Sequence, residues 1–248
     1  MATLLADGSG AVGSGSIDWT LVSDINGLAR DLPSWLDSTL AFLGEYGVPL
    51  ASVLMLGWAW AWARRRPDAP AAVAAVLWAG LASGVALVLN IPVRDMVQRQ
   101  RPFVAHPGQL DLLTNHLANG SFASDHATFT MAVAVGLLLV NRKFGAIAGG
   151  LAAFEGFLRV FMGVHYPTDV VGGYALGTAT VLLLAPLAMA VLVPLARSAA
   201  RTAAGPLVSA PADGSTRRGG RRSAAVPPRQ GQPDQDAAQG GGDRDLAA

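Results

Sequence analysis

Apolar residues in this chain gather into blocks too long for a soluble core, and polar residues gather between them. A helix needs about 20 apolar residues to cross a bilayer core, and that template fits at 40–63, 71–89, 127–140, 144–164 and 170–193. Glu45 interrupts the first block, which stops at Arg64-Arg65-Arg66; Pro70 and Pro92 flank the second. The third is short for a full crossing and ends at Asn141-Arg142-Lys143. Ahead of them, over 17–37, Trp19, Leu21, Ile25, Leu28, Leu32 and Trp35 alternate with charges, as in a helix lying in the interface with its tryptophans at headgroup level. The pattern predicts an all-α, polytopic membrane helical bundle of about five transmembrane helices plus an N-terminal interfacial amphipathic helix.

The flanks differ. Residues 1–16 are Gly-, Ser- and Ala-rich without periodicity, and no basic region precedes a short apolar core there, so disorder is expected rather than a cleaved signal. Residues 197–248 are rich in Gly, Pro, Gln and Arg and are expected to form a disordered cytoplasmic tail. One membrane-embedded domain, 17–196, lies between. Composition agrees: 52% of the 248 residues are hydrophobic and 14% charged. Absence of cysteine excludes disulfides and thiolate metal sites. A net charge of +1 gives no reason to expect a nucleic-acid partner, and nothing in the pattern sets an oligomeric state.

An odd number of spans puts Arg64 to Arg66, Arg142-Lys143 and Arg197 to Arg201 on one face, which the positive-inside rule makes cytoplasmic. The polar stretches 94–125 and 165–169 then share the outer face.

Those stretches carry the chemistry. Arg159, His165 and Asp169 stand around the mouth of an apolar run, where ionisable groups are costly unless paired with each other or a ligand. A carboxylate four residues after a histidine can hold one ring N–H and free the other nitrogen as nucleophile or base. Pro167 suits a first helical position, and Asp169 falls in the first turn of the next helix. Upstream, Arg94 and Arg101 are separated by about two helical turns, so both can grip one anion; Pro102 ends that segment. Between the two clusters lies Ser121-Phe-Ala-Ser124-Asp125-His126. There a helix N-terminus and a serine can seat phosphate, and a histidine can donate a proton. Each cluster alone also fits an ordinary cap or a pair of interfacial arginines.

In order and spacing the three together resemble the type 2 phosphatidic acid phosphatase superfamily, whose pattern is Lys-x6-Arg-Pro, Pro-Ser-Gly-His, then Ser-Arg-x5-His-x3-Asp. Arg94 stands where the family has lysine, Ala123 for proline, Asp125 for glycine and Leu158 for serine. Ser124-Asp-His126, Arg101-Pro-Phe and His165-Tyr-Pro-Thr-Asp-Val-Val-Gly-Gly, with Ile25-Asn26, Trp35-Leu36-Asp37 and Tyr46, look most like the bacterial undecaprenyl-diphosphatase branch.

The resemblance implies an integral plasma-membrane lipid phosphatase in a bacterium, working on the extracytoplasmic face without metal or cofactor. Its implied substrate is undecaprenyl diphosphate, presented from the bilayer; phosphatidate and phosphatidylglycerol phosphate are the alternatives. A phospholipid-binding or transport protein is the non-catalytic alternative, and the soluble vanadium haloperoxidases share the anion pocket but not the spans. By the same resemblance His165 is the nucleophile forming a phosphohistidine, Asp169 holds its ring, and His126 protonates the leaving group and then activates water. Arg94, Arg101, Ser124 and Arg159 bind phosphate oxygens, and Asp125 contributes its backbone N–H. Arg99 is expected to meet the inner phosphate. Glu155, four residues before Arg159, is expected to pair with it; Glu45 lines the site or reaches the headgroups. His106 and His116 are expected to face solvent.

The topology is directly testable because the chain has no cysteine of its own. In cells, Leu112→Cys should react with an impermeant thiol reagent from outside and Ser215→Cys should not; the reverse pattern would overturn the assigned orientation.

Overall fold

The computed structural model describes residues 12–114 and 118–210, with side chains from Ile17 onward. Helices α1 (Val12–Gly27), α2 (Ser34–Phe42), α3 (Val48–Ala63), α4 (Ala69–Val97), α5 (Pro102–Ala105), α6 (Asp125–Val140), α7 (Arg142–Phe161), α8 (Pro167–Ala199) and α9 (Gly205–Val208) follow in that order. Among the described residues there are no strands. A π-helical turn, Leu43–Gly47, joins α2 to α3, so that a single apolar rod runs over Ser34–Ala63.

Among the described residues, four helical stretches are long and apolar enough to cross a membrane: Ser34–Ala63, Ala69–Ala105, Arg142–Phe161 and Pro167–Ala199. The fifth expected span is α6, with 16 residues, or roughly 24 Å at 1.5 Å per residue. Its short length follows from its place: α6 is the central helix, packed on α3, α4, α7 and α8. Lipid-facing work falls to its neighbours. Leu50, Leu54 and Trp58 on α3, Leu81 and Val88 on α4, and Leu183, Leu187 and Val191 on α8 all point outward. An apolar exterior of this extent belongs in hydrocarbon, where every backbone polar group must be satisfied within the chain; the protein is a multi-pass membrane protein.

Small residues let α6 sit so deep. A Cβ on Gly177 of α8 would lie 2.5 Å from the Thr128 carbonyl oxygen of α6, and one on Gly136 of α6 would lie 2.7 Å from the Ala79 Cα of α4. In a bilayer, packing of this kind replaces the hydrophobic drive that assembles helices in water.

The two ends of the bundle are chemically distinct. At one end Trp62 and Phe144 meet edge to face at 5.6 Å, joining the ends of α3 and α7. The Trp60 indole donates to the Leu207 carbonyl (3.0 Å), and the Ala210 N–H to that of Arg64 (2.8 Å). Arg64 and Arg66 lie over Trp60 and Trp62. The basic clusters therefore share this end. The expected tail also begins later than 197: α8 continues to Ala199, and α9 folds back so that Val208 is buried with Ala74 and Ala196. Residues 211–248 of that tail lie outside the described residues, as do 1–11. Helix α1 starts at Val12, inside the stretch expected to be disordered.

At the opposite end α1 lies across α7 and α8. The 17–37 segment is not one interfacial helix, since a 3-10 turn at Leu28–Asp31 breaks it and Trp35 belongs to the rod of the first span. Trp35 is exposed, but Trp19 is half-buried and stacks on His106 at 3.7 Å between ring centroids. His106 is thus partly covered and not free in solvent; His116 lies outside the described residues. Asn26 fixes the loop beside it, donating to the Asp111 and Phe161 carbonyls (2.8 Å each).

Gly177→Ala should destabilise the detergent-solubilised protein by about 1–3 kcal/mol, the usual cost of overpacking. Gly57→Ala, where an added Cβ meets nothing within 4 Å, should leave it unchanged or more stable. Paired thermal melts of the two variants check this, and equal Tm shifts would contradict the close crossing of α6 and α8.

Candidate active site

Four segments converge at the non-basic end: the C-terminus of α4 with the loop to α5, the Ser121–Ser124 approach to α6, the α7–α8 junction, and the π-helical turn. Helix α4 stops at Val97 because Gln98 adopts a left-handed conformation (φ 49°) that satisfies its N–H with the Arg94 carbonyl. Arg101, ahead of Pro102, is extended. Arg94 and Arg101 are therefore not two turns apart on one helix as the spacing suggested; a turn in the chain separates them.

Arg101 is nearly buried, anchored by Nε to Asn119 (3.0 Å) and by Nη1 to the Val164 carbonyl (3.2 Å), and Nη1 lies 3.3 Å from His165 Nε2. His165 Nδ1 faces Asp169 Oδ2 at 3.7 Å. Asp169 is fully buried. Its Oδ2 accepts the Ser121 hydroxyl and the Tyr166 N–H (2.9 Å), and its Oδ1 accepts Arg99 Nη1 (2.8 Å). Burial takes the His165 imidazole down to about 4; contact with Asp169 opposes the shift, while Arg101 and Arg159 reinforce it. At neutral pH the ring is uncharged, with one nitrogen toward a carboxylate and the other toward a guanidinium.

Arg159, 1% exposed, sits between two carboxylates. Glu155, one turn back on α7, is 3.1 Å from Nε, as expected from their spacing. Glu45 Oε2 accepts from both terminal nitrogens at 3.3 Å. The π-helical turn presents Glu45, and insertions of this kind often occur at functional sites. Glu45 also offers its carbonyl to His126 Nε2 at 3.4 Å. Arg159 leads back to His165, whose N–H reaches the Arg159 carbonyl (3.3 Å).

Ser124 is buried and caps α6 by accepting the Ala127 N–H (3.5 Å), while its own N–H donates to the Asp169 carbonyl (3.1 Å). Asp125 departs from expectation. Its carboxylate takes Arg94 at 2.5 Å and the Asn90 amide at 2.7 Å, so the side chain and not only the backbone faces the pocket. Charge explains this: an arginine next to an added acid pairs with it. A second departure is Arg99, expected at an inner phosphate. It is fully engaged with Asp169, with Asp18 Oδ2 (2.7 Å) and with Thr168 (2.6 Å), its guanidinium 3.9 Å above the Tyr166 ring.

Arg94, Arg101, Ser124, Asp125, His126, Arg159, His165 and Asp169 thus form one connected set, joined through Glu45 and backbone groups. Four supporting residues were given no role from sequence: Ser121, Asn90, Asp18 and Thr168. Buried polar groups must be paired, and that was the available signal for Asn90 and Asp18, each lying next to apolar residues. Two hollows adjoin the set. A polar cavity of about 480 Å³ is lined by Arg94, Gln98, Arg101 and Asn119 among others. An apolar groove of about 270 Å³ is lined by Pro49, Leu87 and Phe129 together with Asp125 and His126.

Residues 72–192 match the PAP2 superfamily. Undecaprenyl-diphosphatase BcrC of Bacillus subtilis is 32% identical over 157 residues, 63% of this chain and 76% of that protein. The putative undecaprenyl-diphosphatase YbjG of Escherichia coli is 30% identical over 166 residues, 65% of this chain and 78% of that one. Among solved structures, the PAP2-type phosphatidylglycerolphosphate phosphatase of Bacillus subtilis superposes with a TM-score of 0.53 at 22% identity, covering 73% of this chain and 89% of that one. Its likeness lies in the fold. The chain belongs to the PAP2 superfamily and is a membrane phosphatase.

Proposed function

We propose that the protein hydrolyses a polyprenyl diphosphate, undecaprenyl diphosphate by its relatives' specificity, to the monophosphate and inorganic phosphate on the extracytoplasmic face of a bacterial plasma membrane. The observation that carries the chemistry is the His165 ring, set between the Asp169 carboxylate and the Arg101 guanidinium. In this mechanism Nε2 attacks the terminal phosphorus, the bond to the bridging oxygen breaks, and the lipid monophosphate leaves. The product on the enzyme is a phosphohistidine. Arg101, Arg159 and Ser124 take the non-bridging oxygens of the terminal phosphate and stabilise the developing charge, with Glu45 giving way at Arg159. His126 protonates the leaving oxygen and then takes a proton from the water that cleaves the P–N bond.

Support for a lipid substrate comes from the apolar groove that His126 helps to line, which gives an apolar tail a place beside the proton donor. With Arg99 committed elsewhere, Arg94, paired with the groove residue Asp125, takes the inner phosphate. The outward orientation rests on the basic clusters gathered at the opposite end.

His165→Ala should abolish turnover while leaving expression and detergent melting close to the parent. Activity within a fewfold of the parent would remove His165 as nucleophile. His126→Ala should be nearly as severe, with partial recovery on a substrate whose leaving group needs no proton.

A charge-assisted contact to the second phosphate is worth roughly 1.5–3 kcal/mol, or about tenfold or more. Undecaprenyl diphosphate should therefore exceed phosphatidate and phosphatidylglycerol phosphate in kcat/KM by at least that factor, measured as phosphate released by purified protein. Chelator should leave the rate unchanged. A better rate on either monoester would transfer the assignment to that lipid.

A further inference from the structure

We propose that Arg99, clamped by Asp18 of the N-terminal helix, is a positioning residue that sets the Asp169 carboxylate against His165. The proposal rests on His165 acting as the nucleophile.

The geometry is a relay of fixed contacts reaching from α1 to the reacting ring. Asp18 is a buried acid on α1, a helix that also packs Val22 against Val160 and Val170. Its Oδ2 accepts Arg99 Nη2 at 2.7 Å and the Thr168 hydroxyl, and its Oδ1 accepts the Thr168 N–H at 3.3 Å. Arg99 Nη1 then reaches Thr168 Oγ1 and Asp169 Oδ1. The guanidinium is thus held between one carboxylate on α1 and another on α8, its face covered by Tyr166. Such a fork is planar and rigid, so it fixes both carboxylates that it bridges.

Two consequences follow for His165. First, Asp169 is held on both oxygens, by Arg99 on Oδ1 and by Ser121 and Tyr166 on Oδ2, so it cannot swing away from the ring. Second, Arg99 supplies the counter-charge that a fully buried carboxylate needs. Without it, His165 would be the nearest group able to neutralise Asp169, and the ring would gain a proton at the expense of nucleophilicity. Arg101, Arg159, His126 and Ser121 also face His165 or its neighbours and are unchanged by the substitution. The same clamp explains why Arg99, though it lines the polar cavity beside Arg94 and Arg101, holds both terminal nitrogens on acids. Asp18 holds the half of the fork that Asp169 does not.

The test is turnover of undecaprenyl diphosphate and of phosphatidate by full-length protein in detergent, for Arg99→Gln, Arg99→Lys, Asp18→Asn, Asp169→Asn and the Arg99→Gln/Asp169→Asn double variant. Arg99→Gln should lower kcat by about 10- to 100-fold, the range for losing a group that orients a histidine ligand, with KM within about threefold, the signature of a contact that acts in the transition state rather than in binding. Its acid limb should move to higher pH, since loss of a nearby cation favours a protonated ring. Arg99→Lys should recover part of the rate, and Asp18→Asn should fall in the same direction by less. The double variant should be no slower than Asp169→Asn alone, because a residue acting through Asp169 has nothing further to lose.

Additive losses, or a raised KM at unchanged kcat, would show Arg99 touching substrate directly and overturn the proposal. If Arg99→Gln fails to fold, Asp18→Asn and Arg99→Lys decide: parental rates and pH profiles in both would also overturn it. An inactive His165→Ala beside a normal Arg99→Gln overturns this inference alone, whereas an active His165→Ala removes the nucleophile and this inference together.

Discussion

A carboxylate with no exposed surface, placed at the start of a membrane helix, dictates most of what surrounds it. Left alone, the charge of Asp169 would be costly there, because an isolated charge in a low-dielectric interior carries a penalty of several kcal/mol. The chain meets the demand from four directions: a guanidinium from the α4–α5 loop, a hydroxyl from the approach to α6, an N–H from the cap of its own helix, and the imidazole. The imidazole and the N–H come from neighbouring residues at the α7–α8 junction and the other two from separate segments, so satisfying one charge fixes three pieces of backbone at the same point.

Arg159 repeats the logic with opposite sign. A buried cation between Glu155 and Glu45 is tolerable as it stands, yet Glu45 holds it through 3.3 Å contacts that a phosphate could replace. Glu155 remains behind as the permanent partner. The asymmetry between the two acids, one within the α7 turn and one on a π-helical insertion, divides support of the arginine from occupation of its binding face.

Much of this was legible in the sequence, for identifiable reasons. Long apolar blocks reveal helices because a bilayer imposes length, and charged residues inside such blocks stand out because they are costly. The expected pair Glu155–Arg159 followed from helical spacing alone. What spacing does not convey is how side chains turn once the backbone leaves the helix. The left-handed Gln98 placed Arg101 off the face of Arg94, and Arg99 found two acids that lie 81 and 70 residues away in sequence. Asp125 was misread because its partner, Arg94, is on another helix. Ser121 and Asn90 resemble any loop serine or helix asparagine until the groups they satisfy are in view.

The return of the chain after α8 has a mechanical meaning. By tying Leu207 to Trp60 and Ala210 to Arg64, it staples the feet of α3 and α8 at the basic end, far from the chemistry. A rod held at its foot moves least there and most at its tip, and the tip of α3 carries Pro49 on the groove and, in the preceding turn, Glu45 on Arg159. The groove wall and the acid on the arginine are therefore carried by one rod, and any tilt of it moves both together.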